Sequence, residues 1–79
     1  MLMELPEFKY KIGDKLRIKG DFQTPYYMTK RVYVVDDIMY SMNDKCWFMV
    51  LYYYVNSIDE GTSMVEVEQV YKEFEKIED

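Results

Sequence analysis

Ten consecutive residues, Cys46 to Val55, are all apolar or aromatic. The run is half the length a membrane-spanning helix needs, about 20 residues, and its Val and aromatic content favours a strand. Side chains alternate across a strand, so Phe48, Val50, Tyr52 and Tyr54 share one side while Trp47, Met49, Leu51, Tyr53 and Val55 share the other. Neither side is polar, and a strand of this kind has to be covered twice. A chain of 79 residues has material for one core, so it is read as a single domain, residues 1–79. Aromatic residues make up 18% of it, and rings bury enough surface each to hold so small a core without disulfides.

Other segments read more simply. Phe8, Tyr10, Ile12, Leu16 and Ile18 fall at even positions and Lys9, Lys11, Lys15, Arg17 and Lys19 at odd ones. This alternation predicts a half-buried strand with a basic outer face, bent at Gly13-Asp14. Gly20 to Lys30 mixes Gly, Asp, Thr and Pro with Phe22, Tyr26 and Tyr27, the pattern of a long aromatic loop. Arg31 to Tyr40 predicts a strand interrupted by Asp36-Asp37, where a bulge or an edge would accommodate adjacent carboxylates. Ser41 to Lys45 is a hairpin turn, Asn56 to Gly61 another, and Thr62 to Val67 a returning strand. The C-terminal segment has two readings. Val67, Val70, Tyr71, Phe74 and Ile77 form a helical stripe, which Ser63-Met64-Val65-Glu66 could open as a capping box. Alternatively, Glu68 to Tyr71 is one helical turn and Lys72 to Ile77 a closing strand. The two readings bear on the apolar run: a helical stripe would cover the Trp47, Met49, Leu51 and Tyr53 side, which otherwise forms an exposed patch for a protein or a second copy of the chain.

The segment Tyr10-Lys11-Ile12-Gly13-Asp14-Lys15-Leu16-Arg17-Ile18 resembles the opening strand of small SH3-like barrels, the group that includes KOW and Tudor modules. The element order over about residues 8 to 77 also resembles that fold. The resemblance implies a mainly β chain: a small barrel of about five strands with a C-terminal helical turn or short helix. It also implies binding through the long first loop, at Phe22, Tyr26 and Tyr27, with Trp47 or Tyr53 as neighbours. Asp21 stands alone in that loop, which departs from the acidic loop of proline-peptide-binding SH3 domains.

Composition narrows the chemistry. The chain has no His, one Cys and three Gly. Cys46 and the serines therefore lack an imidazole to activate them, and no Gly-rich phosphate cradle can form. Asp36 and Asp37 would point to opposite faces of a strand, and Asp59-Glu60 lacks the spacing of a calcium loop. We read the chain as non-enzymatic, without metal or cofactor. A lone Cys and the lack of a secretory leader pattern lead us to expect a cytoplasmic protein with no membrane partner.

Charge is uneven. Residues 1–35 carry seven Lys or Arg against four acids, +3, and residues 36–79 three against eleven, −8. The negative half disfavours a phosphate chain and suits a basic protein partner. The expected function is protein binding, through Phe22, Tyr26, Tyr27, Trp47 and Tyr53 with Glu73 and Glu75, homodimerisation being a further option. In size and acidity the chain is similar to small phage or mobile-element inhibitors of host defence systems that imitate nucleic-acid charge. The alternative is nucleic-acid binding through Lys9, Lys11, Lys15, Arg17 and Lys19, on the ground that alternate cations on a strand can track phosphates.

Overall fold

The computed structural model describes residues 6–20, 25, 30–55 and 60–78. Five antiparallel strands and one short helix follow in the order β1 (Lys15–Ile18), β2 (Val32–Ser41), β3 (Cys46–Tyr54), β4 (Glu60–Glu66), α1 (Val67–Glu73) and β5 (Phe74–Lys76). They form one sheet, ordered β4-β3-β2-β1-β5, whose β4 and β5 edges do not close on each other. The mainly β class with a short C-terminal helix is as expected.

The first strand is shorter than its alternation predicts. Phe8 to Asp14 run as bends and a turn, and Ile12, expected in the core, is 63% exposed. The cause is local to Gly13-Asp14. Gly13 sits at φ +99°, where a side chain would be strained, and its N–H donates to the Val35 carbonyl at 2.8 Å. Asp14 closes the turn, its backbone N–H donating to the Lys11 carbonyl and its Oδ2 accepting from the Lys11 N–H. Only from Lys15 onward does period-two burial hold, with Leu16 and Ile18 inside and Lys15 and Arg17 outside.

The Asp36-Asp37 expectation of a bulge holds: register along β2 and β3 shifts between Val35 and Asp37. One extra residue reverses parity, so Tyr33 and Val35 point inward before the bulge and Ile38 packs on the core after it. The hairpin turn also holds. Lys45 adopts φ +54° and its N–H donates to the Ser41 carbonyl at 2.7 Å, while Ser41 Oγ and Asp44 bind each other across the turn.

The C-terminal ambiguity resolves as a short helix followed by a strand. Ser63 to Glu66 belong to β4, so no capping box forms, and Glu66 at the helix start makes no side-chain cap. At Phe74 the backbone turns extended, φ −119° and ψ 153°. β1 has an open edge there, and β5 fills it with Phe74 opposite Ile18 and Glu75 opposite Arg17. Pairing that also seats Phe74 in the core outweighs the helical periodicity of Val70 to Ile77.

The core lies on one side of the sheet. Tyr10, Leu16, Ile18, Tyr33, Val35, Met49, Leu51, Val67, Val70 and Phe74 are buried together. The Met49 and Leu51 side of β3 is thus interior, covered by α1 rather than left as a patch. The opposite side, with Phe48, Val50, Tyr52 and Tyr54, is half-buried.

Candidate functional site

Three segments distant in sequence meet at one end of the core. Phe8 arrives from the N-terminal stretch, Trp47 from the start of β3, and Tyr71 from α1. Between them lies an open cavity of about 350 Å³, whose apolar lining is completed by Pro6 and Val67 and whose acids are Glu7, Glu66 and Glu68. Among the described residues, three carboxylates and no lysine or arginine line it.

Each aromatic wall is held by its own contacts. The Trp47 ring stands edge-on to Phe8, with centroids 5.3 Å apart, and to Tyr40 at 5.2 Å. Edge-to-face pairs of this kind fix ring orientation. Tyr71 packs edge-on against Tyr10 at 5.6 Å, and its hydroxyl accepts the Lys9 backbone N–H at 2.8 Å. Lys9 Nζ lies 5.9 Å from the Tyr71 ring centre and 5.5 Å from that of Tyr10, so these rings already attract one ammonium of the chain itself. Tyr10 donates its hydroxyl to the Phe74 carbonyl at 3.2 Å, and burial, the largest influence, raises its pKa.

Cys46 lines the same cavity, half-exposed. Burial first, and then Glu66 and Asp44, push its thiol pKa up, which keeps the weakly nucleophilic protonated form at neutral pH. Among the described residues no group of three His, Cys, Asp or Glu side chains could hold a metal ion. Nor, among them, is any helix long and apolar enough to cross a membrane.

The residues singled out from sequence are dispersed. Phe22, Tyr26 and Tyr27 lie outside the described residues. Trp47 is in the cavity wall, whereas Tyr53 sits six residues further along β3, about 20 Å away at strand rise. There its ring meets Tyr33 at 5.6 Å, lies 4.0 Å from the Arg31 guanidinium, and occupies the space over Gly61 opposite. Glu73, at the end of α1, is hydrogen-bonded by Gln69, and Glu75 on β5 pairs with Arg17, Oε1 to Nε 3.2 Å.

Of the basic series, Lys15 and Arg17 are exposed on β1, and Lys9 and Lys11 precede that strand. Lys19 follows it, half-buried, with Nζ donating to the Tyr71 carbonyl at 3.2 Å. The cavity residues that sequence reasoning passes over are Glu7, Phe8, Glu66, Glu68 and Tyr71. The usable signal is the alternation Val65-Glu66-Val67-Glu68, which puts acids beside the cover of the Trp47 side. Compared with protein-family models, with curated proteins and with solved structures, the chain matches none.

Proposed function

We propose that this protein is a non-enzymatic binding module that recognises a basic protein surface, taking a cationic side chain into the cavity between Phe8, Trp47 and Tyr71. The carrying observation is that cavity: three ring walls and three carboxylates, with no cation among the described residues lining it. Ring faces attract an ammonium or guanidinium by about 0.5–2 kcal/mol, and rim carboxylates add steering more than affinity. The framework we infer is SH3-like. Support comes from the strand order β4-β3-β2-β1-β5, the helix between the fourth and fifth strands, and the bulge that bends β2. Inhibition of a host system by a phage or mobile-element protein is a biological setting that small size and net charge −5 fit.

Nucleic-acid binding is less well supported, because Arg17 is paired with Glu75 and Lys19 with a backbone carbonyl. Trp47 is the sole tryptophan, so its fluorescence reports on the cavity directly. A Lys- and Arg-rich peptide should shift that emission saturably, and Glu66→Lys with Glu68→Lys should weaken binding roughly tenfold or more. A Glu-rich peptide and an oligonucleotide should not shift it at physiological salt. Binding of the oligonucleotide alone would reverse the assignment in favour of the basic series.

A further inference from the structure

The sheet ends at β4 on one side and at β5 on the other, so each of these strands turns alternate N–H and C=O groups away from its one partner in the sheet. Such edges are usually blunted by shortness, by lysine or proline, or by a bulge. β5 follows that rule, with three residues that include Lys76. β4 does not. It runs for seven residues, Glu60–Glu66, with neither lysine nor proline, and each pairs with β3 without a shift of register. Glu60, Thr62, Ser63, Met64 and Glu66 are exposed, Met64 to 61%.

Charge decides what can complete this edge. Antiparallel pairing of β4 with β4 of a second copy, centred on Ser63, sets Glu60 of each opposite Glu66 of the other, and parallel pairing in register sets each glutamate beside its own counterpart. Like charges directly opposite are destabilising. β5 of a second copy is too short to span the edge. A basic strand, by contrast, suits both glutamates. They are the charged residues of β4, and Glu66 also lines the cavity, with Val67 and Glu68 directly after it. At the other end, Glu60 Oε2 already accepts the Tyr52 hydroxyl at 3.0 Å. The Arg31 guanidinium lies there too, 4.0 Å from the ring centre of Tyr53, which is opposite Gly61. A partner's cation therefore belongs at the Glu66 end.

We propose that β4 takes an extended basic segment of a partner protein as a sixth strand, whose lysine or arginine passes Glu66 into the cavity between Phe8, Trp47 and Tyr71; this rests on the cavity reading above and adds how the rest of the partner is held. An added strand lies about 4.8 Å from β4. Lysine and arginine carry their charge on a long flexible stem, which allows it to leave that line for the cavity beside Glu66. Main-chain hydrogen bonds along the edge supply affinity with little demand on sequence, and the cavity selects the residue at one position. The partner segment is thus a strand-forming run with a cation at one end and no proline for about six residues beside it.

Two peptides of about ten residues test it on the full chain, both alternating threonine and valine, one with a pair of arginines at the amino end and one at the carboxyl end. The end that binds gives the direction of the added strand. Trp47 emission reports on the cavity, and amide hydrogen exchange followed by NMR reports on β4. With saturating peptide, alternate amides from Glu60 to Glu66 should exchange slower by about tenfold or more, while those between them, already bonded to β3, change little. N-methylation of the peptide backbone, one position at a time, should weaken binding by about tenfold at every second position and hardly at all between them, because only alternate N–H groups face β4. Emission that shifts without any gain of protection in β4 overturns this proposal and leaves the cavity reading standing. So does an N-methylation series with no period of two. Emission that neither peptide shifts overturns the cavity reading and this proposal with it, whatever β4 does. Amides of β4 that are all protected in the free chain would mean that the chain itself fills the edge, which overturns the proposal as well.

Discussion

Met49 and Leu51 are sealed from solvent, while Val50 and Tyr52, their immediate neighbours on β3, are only half-covered. Val50 is as apolar as its two neighbours Met49 and Leu51, so hydrophobicity does not separate it from them. What separates them is the cover. Val67, Val70 and Phe74 close over the Met49 and Leu51 side, and only neighbouring side chains shield the other. Burial is a property of the assembled layers, and β3 would have served a core on either face.

The sharpest way to break this comparison is to delete equivalent apolar volume on each side. Leu51→Ala should cost about 2–5 kcal/mol, since the removed atoms leave a cavity among fully packed neighbours. Val50→Ala should cost about 1 kcal/mol or less, because its site already reaches water. Urea unfolding measures both. Equal costs would mean that the outer face is as well covered as the inner one.

How far the sequence reveals this architecture depends on how local each determinant is. The bulge at Asp36-Asp37 and the turn at Ser41 to Lys45 are legible because two adjacent carboxylates and an Asn-Asp pair act within a few residues. The choice of inner face stays open in the sequence because Cys46 to Val55 is apolar at both parities, and the deciding partners lie some twenty residues onward. The end of α1 is hidden for a related reason: Phe74 and Ile77 continue the helical stripe, and the free β1 edge that pulls them into β5 is not visible in their own segment. The cavity is the least legible feature. Its walls come from around residues 8, 47 and 71, and only Trp47 stands out among them.

A second comparison uses the two faces' tyrosines. Tyr10, inside, and Tyr52, outside, both have pKa values raised from 10.0, Tyr10 chiefly by burial and Tyr52 chiefly by its hydrogen bond to Glu60. A raised pKa means that the folded state holds the proton more tightly than the unfolded chain. The corresponding stability is fully present below pH 10 and is lost as pH rises through the folded values. Neutral and acidic solutions should show nothing of it. Tyr52→Phe and Glu60→Gln should each diminish the alkaline loss contributed by the outer face and leave that of Tyr10, which only Tyr10→Phe should remove. Unfolding midpoints between pH 8 and 11 measure this, and a loss unaffected by any of the three variants would refute the assignment of causes.

The smallest effect is expected at Lys45, where the β2–β3 hairpin fixes which residues face which way. At φ +54° its side chain crowds the following peptide, a conformation that costs an ordinary residue about 1–2 kcal/mol and glycine little. Against this, glycine loses more backbone freedom on folding, roughly 0.5–1 kcal/mol. Lys45→Gly should therefore stabilise the chain by about 0.5–1 kcal/mol in urea unfolding, with the Ser41–Cys46 register intact. The turn hydrogen bond from residue 45 to the Ser41 carbonyl uses the backbone and survives the change. A destabilised variant would show that the lysine side chain, and not the backbone angle, governs the turn. A variant in which Val50 rather than Leu51 became protected from solvent would show that this single position had been holding the inner and outer faces of β3 apart.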